Sequence, residues 1–486
     1  MSTPALPQST PVPAGQFLDD LFGGFWPEQS LPARPRHVTA ALLVGLLAAL
    51  VLPFRDPGLG SFLVLSAVGG VVASADRRLR TPYHLGAATL CTLLVSTLVV
   101  RDAEWIVALC LLAAGAVAVA TLTEGRSLPA LLVSGLAVPL AALRGLPWLG
   151  RSVTASRTSR SWAPALRTVA VSALLVLVFG LLFASADAVF ARWAGAVVPD
   201  VTGPTLLLRT VLTAVVAGGT LTGVYVALNP PRVEHVALPP ASPVTRPFEW
   251  LVPVGAVVVL FAVFVAAQLT VMFGGHGYLR RTTGLTYAEY VHQGFGQLTV
   301  ATLLTLAVVG VAARKAPRSS APERLLLRAV LGALCLLTLV VVASALYRMH
   351  VYEEAYGFTR LRLLVSVFEG WLGLVVLMVL GAGLQLRGPW VPRAVLLSGA
   401  AALLALAALN PDGYVARHNL DRFAGTGKID AAYLGGLSAD AAPALQRAGC
   451  VTALPVGDHD WLEWNLGRAR ATSPRGAPTS PGCTLP

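Results

Sequence analysis

The residues of this sequence best able to do chemistry lie in two polar stretches, GGHGYLRRTTGLTYAEYVHQGFGQL at 274–298 and YRMHVYEEAYGFTRLR at 347–362. Both mix aromatic, acidic and basic side chains. One reading brings Tyr287, Glu289, Tyr290, Arg348, Tyr352, Glu353, Glu354, Tyr356, Arg360 and Arg362 together as an outward-facing polar cup that binds an anionic headgroup or positions a partner. The other makes them an interfacial belt, with tyrosines at headgroup level and charges paired or facing water. Acid–base catalysis would have to use Glu289, Glu353, Glu354 and Glu369, and no spacing among these four is diagnostic of a general acid and base.

A second set of candidates is isolated in apolar sequence. Glu369 lies about two turns past Arg362. Asp187 ends one apolar run, Arg209 begins the next, and Gln268 is deep inside its own. Polar groups in such places mark a functional path or pair within a helix bundle as structural glue. A metal site is not supported. His350 and Glu353 have helical i, i+3 spacing, but the zinc motifs that use such spacing need a second histidine nearby, and His276, His292, His418 and His459 are scattered. Gly425-Thr426-Gly427-Lys428 lacks the glycine of a phosphate loop at Arg422 and its hydroxyl residue at Ile429, so it reads as a turn and no cofactor is expected. Gly219 and Gly223 permit close helix packing.

The elements that must position these residues are set by composition. Of the 486 residues 55% are hydrophobic and 12% charged, with a mean hydropathy of +0.70. Soluble domains carry roughly 25% charged residues, so lipid is the expected solvent. Apolar runs at 38–53, 61–75, 84–100, 104–122, 165–183, 205–228, 250–273, 295–313, 325–346, 363–384 and 394–409 predict an all-α, polytopic transmembrane helix bundle of about 11–12 spans. The run 128–143 has arginines on both flanks and carries Pro129, Gly135 and Pro139, which favours a re-entrant or interfacial segment over a crossing. Arg34 and Arg36, then Arg77, Arg78 and Arg80, then Arg314, Lys315 and Arg318 place alternate loops in the cytoplasm, with the N-terminus inside and the C-terminus outside. The net charge of +12 then reflects loop arginines facing membrane lipids, and nucleic acid is not an expected partner.

Three regions follow: a disordered or interfacial N-terminal segment at 1–37, a transmembrane domain at 38–409, and a soluble C-terminal tail at 410–486. Phe17, Leu18, Leu21, Phe22, Phe25 and Trp26 suit a membrane surface. In the tail, Val415, Ala416, Leu420 and Phe423 recur at helical spacing, and Asp440 is placed to N-cap a second short helix with Pro443 in its first turn. Cys91, Cys110 and Cys335 lie in apolar runs and read as packing. Cys450 and Cys483 are a possible disulfide of an extracytoplasmic tail.

The stretches FASADAVF at 183–190, TYAEYVHQGFGQL at 286–298, YRMHVYEEAYGFTRLR at 347–362, NPDGYVARHNLDR at 410–422 and IDAAYLGGLSADAAPAL at 429–445 resemble bacterial membrane proteins carrying the domain of unknown function 4173, a relative of domain 4153. The resemblance covers residues 163–449 and is most specific at Asn419, Asp430, Tyr433, Leu434, Leu437, Ser438, Asp440 and Ala441. It implies a membrane architecture in the bacterial cytoplasmic membrane and supplies no activity or catalytic residue. The resulting expectation is a non-enzymatic envelope sensing or assembly component that meets another envelope protein through its tail. A transporter of a lipid or small molecule and an enzyme acting on a lipid-linked substrate are the alternatives.

Overall fold

In the computed structural model the chain is an all-α bundle of apolar helices. The structure describes residues 25–26, 35–150, 203–236, 246–283, 295–386, 388–448, 450–451, 460–471 and 482–483, with single positions at 171–190 and at 244. Among the described residues eight helices are long and apolar enough to cross a membrane, and three apolar helices are shorter. The chain is a multi-pass membrane protein. Leu43, Leu112, Leu132, Leu207 and Leu260 are each at least 60% exposed on these helices, a pattern that suits lipid and not water. The predicted span at 165–183 lies largely outside the described residues.

The chain divides into two compact units. In the first are α1 (Pro35–Val51), α2 (Leu59–Ala75), α3 (Pro82–Val95), a four-residue continuation α4 (Thr97–Val100), and the later part of α5 (Glu104–Leu122). With them are α6 (Leu128–Arg144) and α7 (Gly203–Leu228). Two glycines set how closely they approach. A Cβ on Gly45 would lie 2.6 Å from the Thr213 carbonyl oxygen, which brings α1 against α7, and one on Gly223 would lie 2.7 Å from Val72 on α2. Gly219, the other half of the small-residue pair, has nothing within 4 Å. Trp26 is fully buried, donating to the Asn229 carbonyl at 2.6 Å and packing on Tyr225.

The run 128–143 is one continuous helix through Pro139, not a dip and return. Ser127 caps it, and Ser134 hydrogen-bonds Thr123 at 2.7 Å.

The second unit holds the beginning of α5, then α8 (Phe248–Thr283), α9 (Phe295–Lys315), α10 (Ala321–Tyr356), α11 (Arg360–Gln385) and α12 (Val391–Ala408). Leu334, Cys335, Val376, Trp250 and Val309 form its main core. Helix α10 starts at a Ser320–Glu323 capping box and runs 36 residues, about 54 Å, against a hydrocarbon thickness of about 30 Å. Its last turns therefore project from the span. The polar stretch expected as a loop is helix up to Tyr356, and only Gly357, Phe358 and Thr359 separate it from α11.

Pro411 ends α12 and opens α13 (Pro411–Thr426), whose N-cap Asn410 is left-handed at φ 56°. Short helices α14 (Ala431–Gly435), α15 (Ala442–Arg447) and α16 (Leu466–Ala471) follow. Ala416, Leu434, Ala441, Ala444 and Leu445 make a small core of their own. A two-residue antiparallel ladder sets the Cys450 backbone opposite that of Cys483. Of the described tail residues, 460–465 group with the first unit, and 410–448, 450–451, 466–471 and 482–483 with the second.

Candidate functional site at the tail junction

The second unit concentrates buried charge where the tail helices meet the ends of α5, α11 and α12. Asp412, in the first turn of α13, is fully buried. One oxygen accepts from Arg360 Nε at 2.9 Å and Trp105 Nε1 at 3.1 Å, and the other from Arg360 Nη2 at 2.5 Å and the Ser438 amide at 2.8 Å. Burial alone would raise this carboxyl. The hydrogen bonds from Arg360 and Ser438, with the arginine's charge, outweigh that and hold it below the usual carboxylate range.

Asp440 was expected to cap its own short helix. It does not, because the N-cap of α15 is Ala441 and makes no side-chain cap. Its carboxylate instead accepts from the Asp102 and Ala103 amides at 2.8 and 3.0 Å, at the N-terminal end of α5, where unpaired amides and the helix dipole favour an anion. Asp102 returns the favour by accepting from the Ala439 amide at 3.0 Å and from Arg468 Nη1 at 2.8 Å. Arg101 closes the opposite kind of terminus, donating to the Ala407 and Ala408 carbonyls at the end of α12. Burial raises Asp440 above the usual range, and the two amides and Arg101, at 3.9 Å, only partly oppose it.

Of the expected cup residues, Arg362, Tyr352 and Tyr356 contact one another, while Arg360 and Glu354 have other partners. Arg362 lies 4.3 Å over the Tyr352 ring and donates to the Tyr356 and Gly357 carbonyls, which ties the α10–α11 turn. Arg360 turns to the tail, its amide also donating to Tyr433 Oη at 2.7 Å. Glu354 faces solvent and pairs with His350 at 3.3 Å. Glu353 is buried, with Ser366 Oγ at 3.5 Å. The Tyr356 ring packs tilted against that of Tyr352, and Arg348 is half-buried one turn before Tyr352. Tyr287, Glu289 and Tyr290 lie outside the described residues.

Helix α13 covers the α10–α11 turn. Asn419 accepts from the Phe358 amide and donates to its carbonyl, both at 2.8 Å, and Arg422 donates to the Glu354 and Ala355 carbonyls.

Among the intramembrane candidates, Glu369 is fully buried and accepts from Thr299 at 2.9 Å, and Gln268 accepts from Ser344. Arg209 donates to the Ala49 carbonyl. Asp187 is exposed at the end of its turn.

The tail motif residues singled out in the sequence now have stated jobs. Asp430 caps α14 through the Tyr433 amide at 2.9 Å, Tyr433 and Ser438 serve Arg360 and Asp412, Asn419 clasps the turn, and Leu434 and Ala441 fill the tail core. Sequence reasoning missed Arg101, Asp102, Trp105, Asp412 and Arg468. The signals available were the charged pair Arg101-Asp102 directly after a span and the place of Asp412 in the stretch NPDGYVARHNLDR.

Residues 88–448 match the family model described as Domain of unknown function (DUF4153). That is the relative of the domain the motifs resembled, and the match starts at 88 where the resemblance began at 163. It holds Arg101, Asp102, Trp105, Arg360, Asp412 and Asp440 and stops before Arg468. No curated protein and no solved structure matches the chain significantly.

Proposed function

The chain belongs to the Domain of unknown function (DUF4153) family, and from that premise we propose a non-enzymatic component of the bacterial cytoplasmic membrane that works in envelope sensing or assembly. In this reading the N-terminus is cytoplasmic, and the tail is extracytoplasmic and meets another envelope protein. A closer kinship with the 4173 branch rests on the tail motifs. The observation that carries the reading is the buried Asp412, whose four donors come from α5, α11 and the segment before α15. A carboxylate so fully engaged is committed to holding the tail, not to moving protons, and a tail held this way presents a fixed surface.

The test is Asp412→Asn in the native host at matched abundance, with envelope-stress tolerance and in-cell crosslinking of the tail as readouts. Loss of tolerance together with loss of a crosslinked partner supports the role. Normal tolerance in both this variant and a deletion strain removes it.

Transport remains the second reading because Glu369 is a fully buried carboxylate in a span, with Oε1 lacking a hydrogen-bond partner among the described residues.

A further inference from the structure

The tail junction has a cavity on one side, of about 160 Å³, within the second unit. Its charged lining is Arg101, Arg417, Arg447 and Arg470 against the single carboxylate of Asp440, with Asn410 beside them. Four guanidinium groups against one acid leave an excess of three positive charges around a space smaller than the roughly 300 Å³ at which drug-sized pockets begin. One Asp440 oxygen accepts from two backbone amides and the other stands 3.9 Å from Arg101, so one carboxylate faces all four guanidinium groups. Arg417, Arg447 and Arg470 form no ion pair with a carboxylate among the described residues, and Arg447 is steadied through Nε by the Pro443 carbonyl at 2.9 Å. Burial pushes the Arg101 guanidinium below its ordinary value, Asp440 offsets part of this, and Arg470 adds a smaller push.

We propose that this cavity is a binding site for a phosphoryl group, with Arg417, Arg447 and Arg470 as its principal donors. Planar guanidinium forks match the oxygens of a phosphate, and several around one small space favour the three-dimensional oxygen array of a phosphoryl group over a flat carboxylate. The cavity opens within a residue of Val100, the end of a candidate span, so a phospholipid headgroup reaches it from the bilayer surface and a soluble phosphate reaches it from water. The site goes beyond the sensing or assembly reading and does not depend on it, since the anchoring of Asp412 to Arg360, Trp105 and Ser438 uses none of the three donors.

The experiment uses the purified full chain in uncharged detergent. Binding is measured by native mass spectrometry and by the shift in melting temperature with dioleoyl phosphatidylglycerol, dioleoyl phosphatidylcholine and inorganic pyrophosphate, for wild type, for Arg417→Gln with Arg470→Gln, and for the exposed control Arg328→Gln. Wild type and control are expected to bind phosphatidylglycerol or pyrophosphate, and the double variant to bind at least about tenfold more weakly. Its melting temperature without ligand should equal or exceed that of wild type, because a repulsion has been relieved. A preference for phosphatidylglycerol over both other probes assigns the site to a lipid headgroup, and binding of pyrophosphate alone assigns it to a soluble anion. Equal binding by wild type and the double variant, equal loss in the control, or no binding of either anion overturns the proposal.

Discussion

Two regions of the second unit handle buried polar groups in opposite ways. At the tail junction Asp412 meets four donors, and Asp102 and Asp440 exchange side-chain-to-backbone hydrogen bonds. Inside the spans Glu369 and Gln268 each have one side-chain hydrogen-bond partner among the described residues, Thr299 and Ser344. The difference teaches where specificity is placed. The spans of this unit are held by shape, at Gly373 against Val342 and Gly399 against Trp371 for instance, and need few polar contacts. The tail has only a small core around Leu434 and Leu445, so its position is fixed by charged groups whose geometry admits one arrangement.

The largest expected effect breaks the junction. Asp412→Asn turns one acceptor into a donor facing Arg360 and strands a guanidinium whose side chain is 33% exposed beside a site that is 0% exposed. We expect a cost of about 3 kcal/mol, the low end for a broken buried pair because Arg360 keeps some solvent. A lower melting temperature in detergent and faster proteolysis within the tail would register it. A change below about 0.5 kcal/mol would mean the junction is ornamental and the contrast with the spans false.

The two regions also differ in how much of them the sequence disclosed. Spans are local: an apolar run of about twenty residues is its own evidence, and the helices found at 104–122, 295–315 and 360–385 start or end within a few residues of the runs that predicted them. The junction is not local. Asp102 and Asp440 are 338 residues apart, and Arg468 and Asp102 are 366 apart. Asp440 illustrates the failure: its position before a short helix with an early proline fits a local N-cap, and only the tertiary fold brings the α5 amides closer to hand. Residue type singled out Arg360 and Arg362 as polar groups beside a span but could not say that Arg360 would reach Asp412 on α13 while Arg362 tied the α10–α11 turn.

A second, somewhat smaller effect tests whether the far tail shares the junction's stiffness. The Cys450 and Cys483 backbones are register partners in an antiparallel ladder, an arrangement whose Cα separation of about 4.5–5.5 Å suits a disulfide. We expect an impermeant maleimide to label these cysteines in whole cells only after reduction, and Cys450→Ser to lower tail stability by about 2 kcal/mol. Labelling before reduction would sink the disulfide. Labelling only after cells are opened would put the tail in the cytoplasm.

The pH profile then separates the two acids of the junction. An unfolded aspartate titrates near 3.9. Asp412 is held lower when folded, so its contribution is present above about pH 4 and is lost as pH falls through its lowered folded value. Asp440 is raised when folded, so the opposite sign holds, and stability falls as pH rises from about 3.9 through its raised folded value. Asp440→Asn keeps an acceptor for the α5 amides and should flatten that rising-pH loss, with a neutral or slightly higher melting temperature at pH 7. A marked loss at pH 7 would show that the charge itself is needed at the helix terminus.

The smallest effect is expected inside the membrane. Glu369→Gln preserves the acceptor for Thr299 and removes only a charge that lipid disfavours, so abundance and melting temperature should stay within about 1 kcal/mol of wild type. The measurement therefore isolates function from folding in a way that Asp412→Asn cannot. If Glu369→Gln folds normally and the envelope phenotype is also normal, the spans are scaffold and the junction carries the biology. If it folds normally and the phenotype is lost, the contrast inverts: the sparse polar group in the bundle is then the working part, and transport gains over sensing.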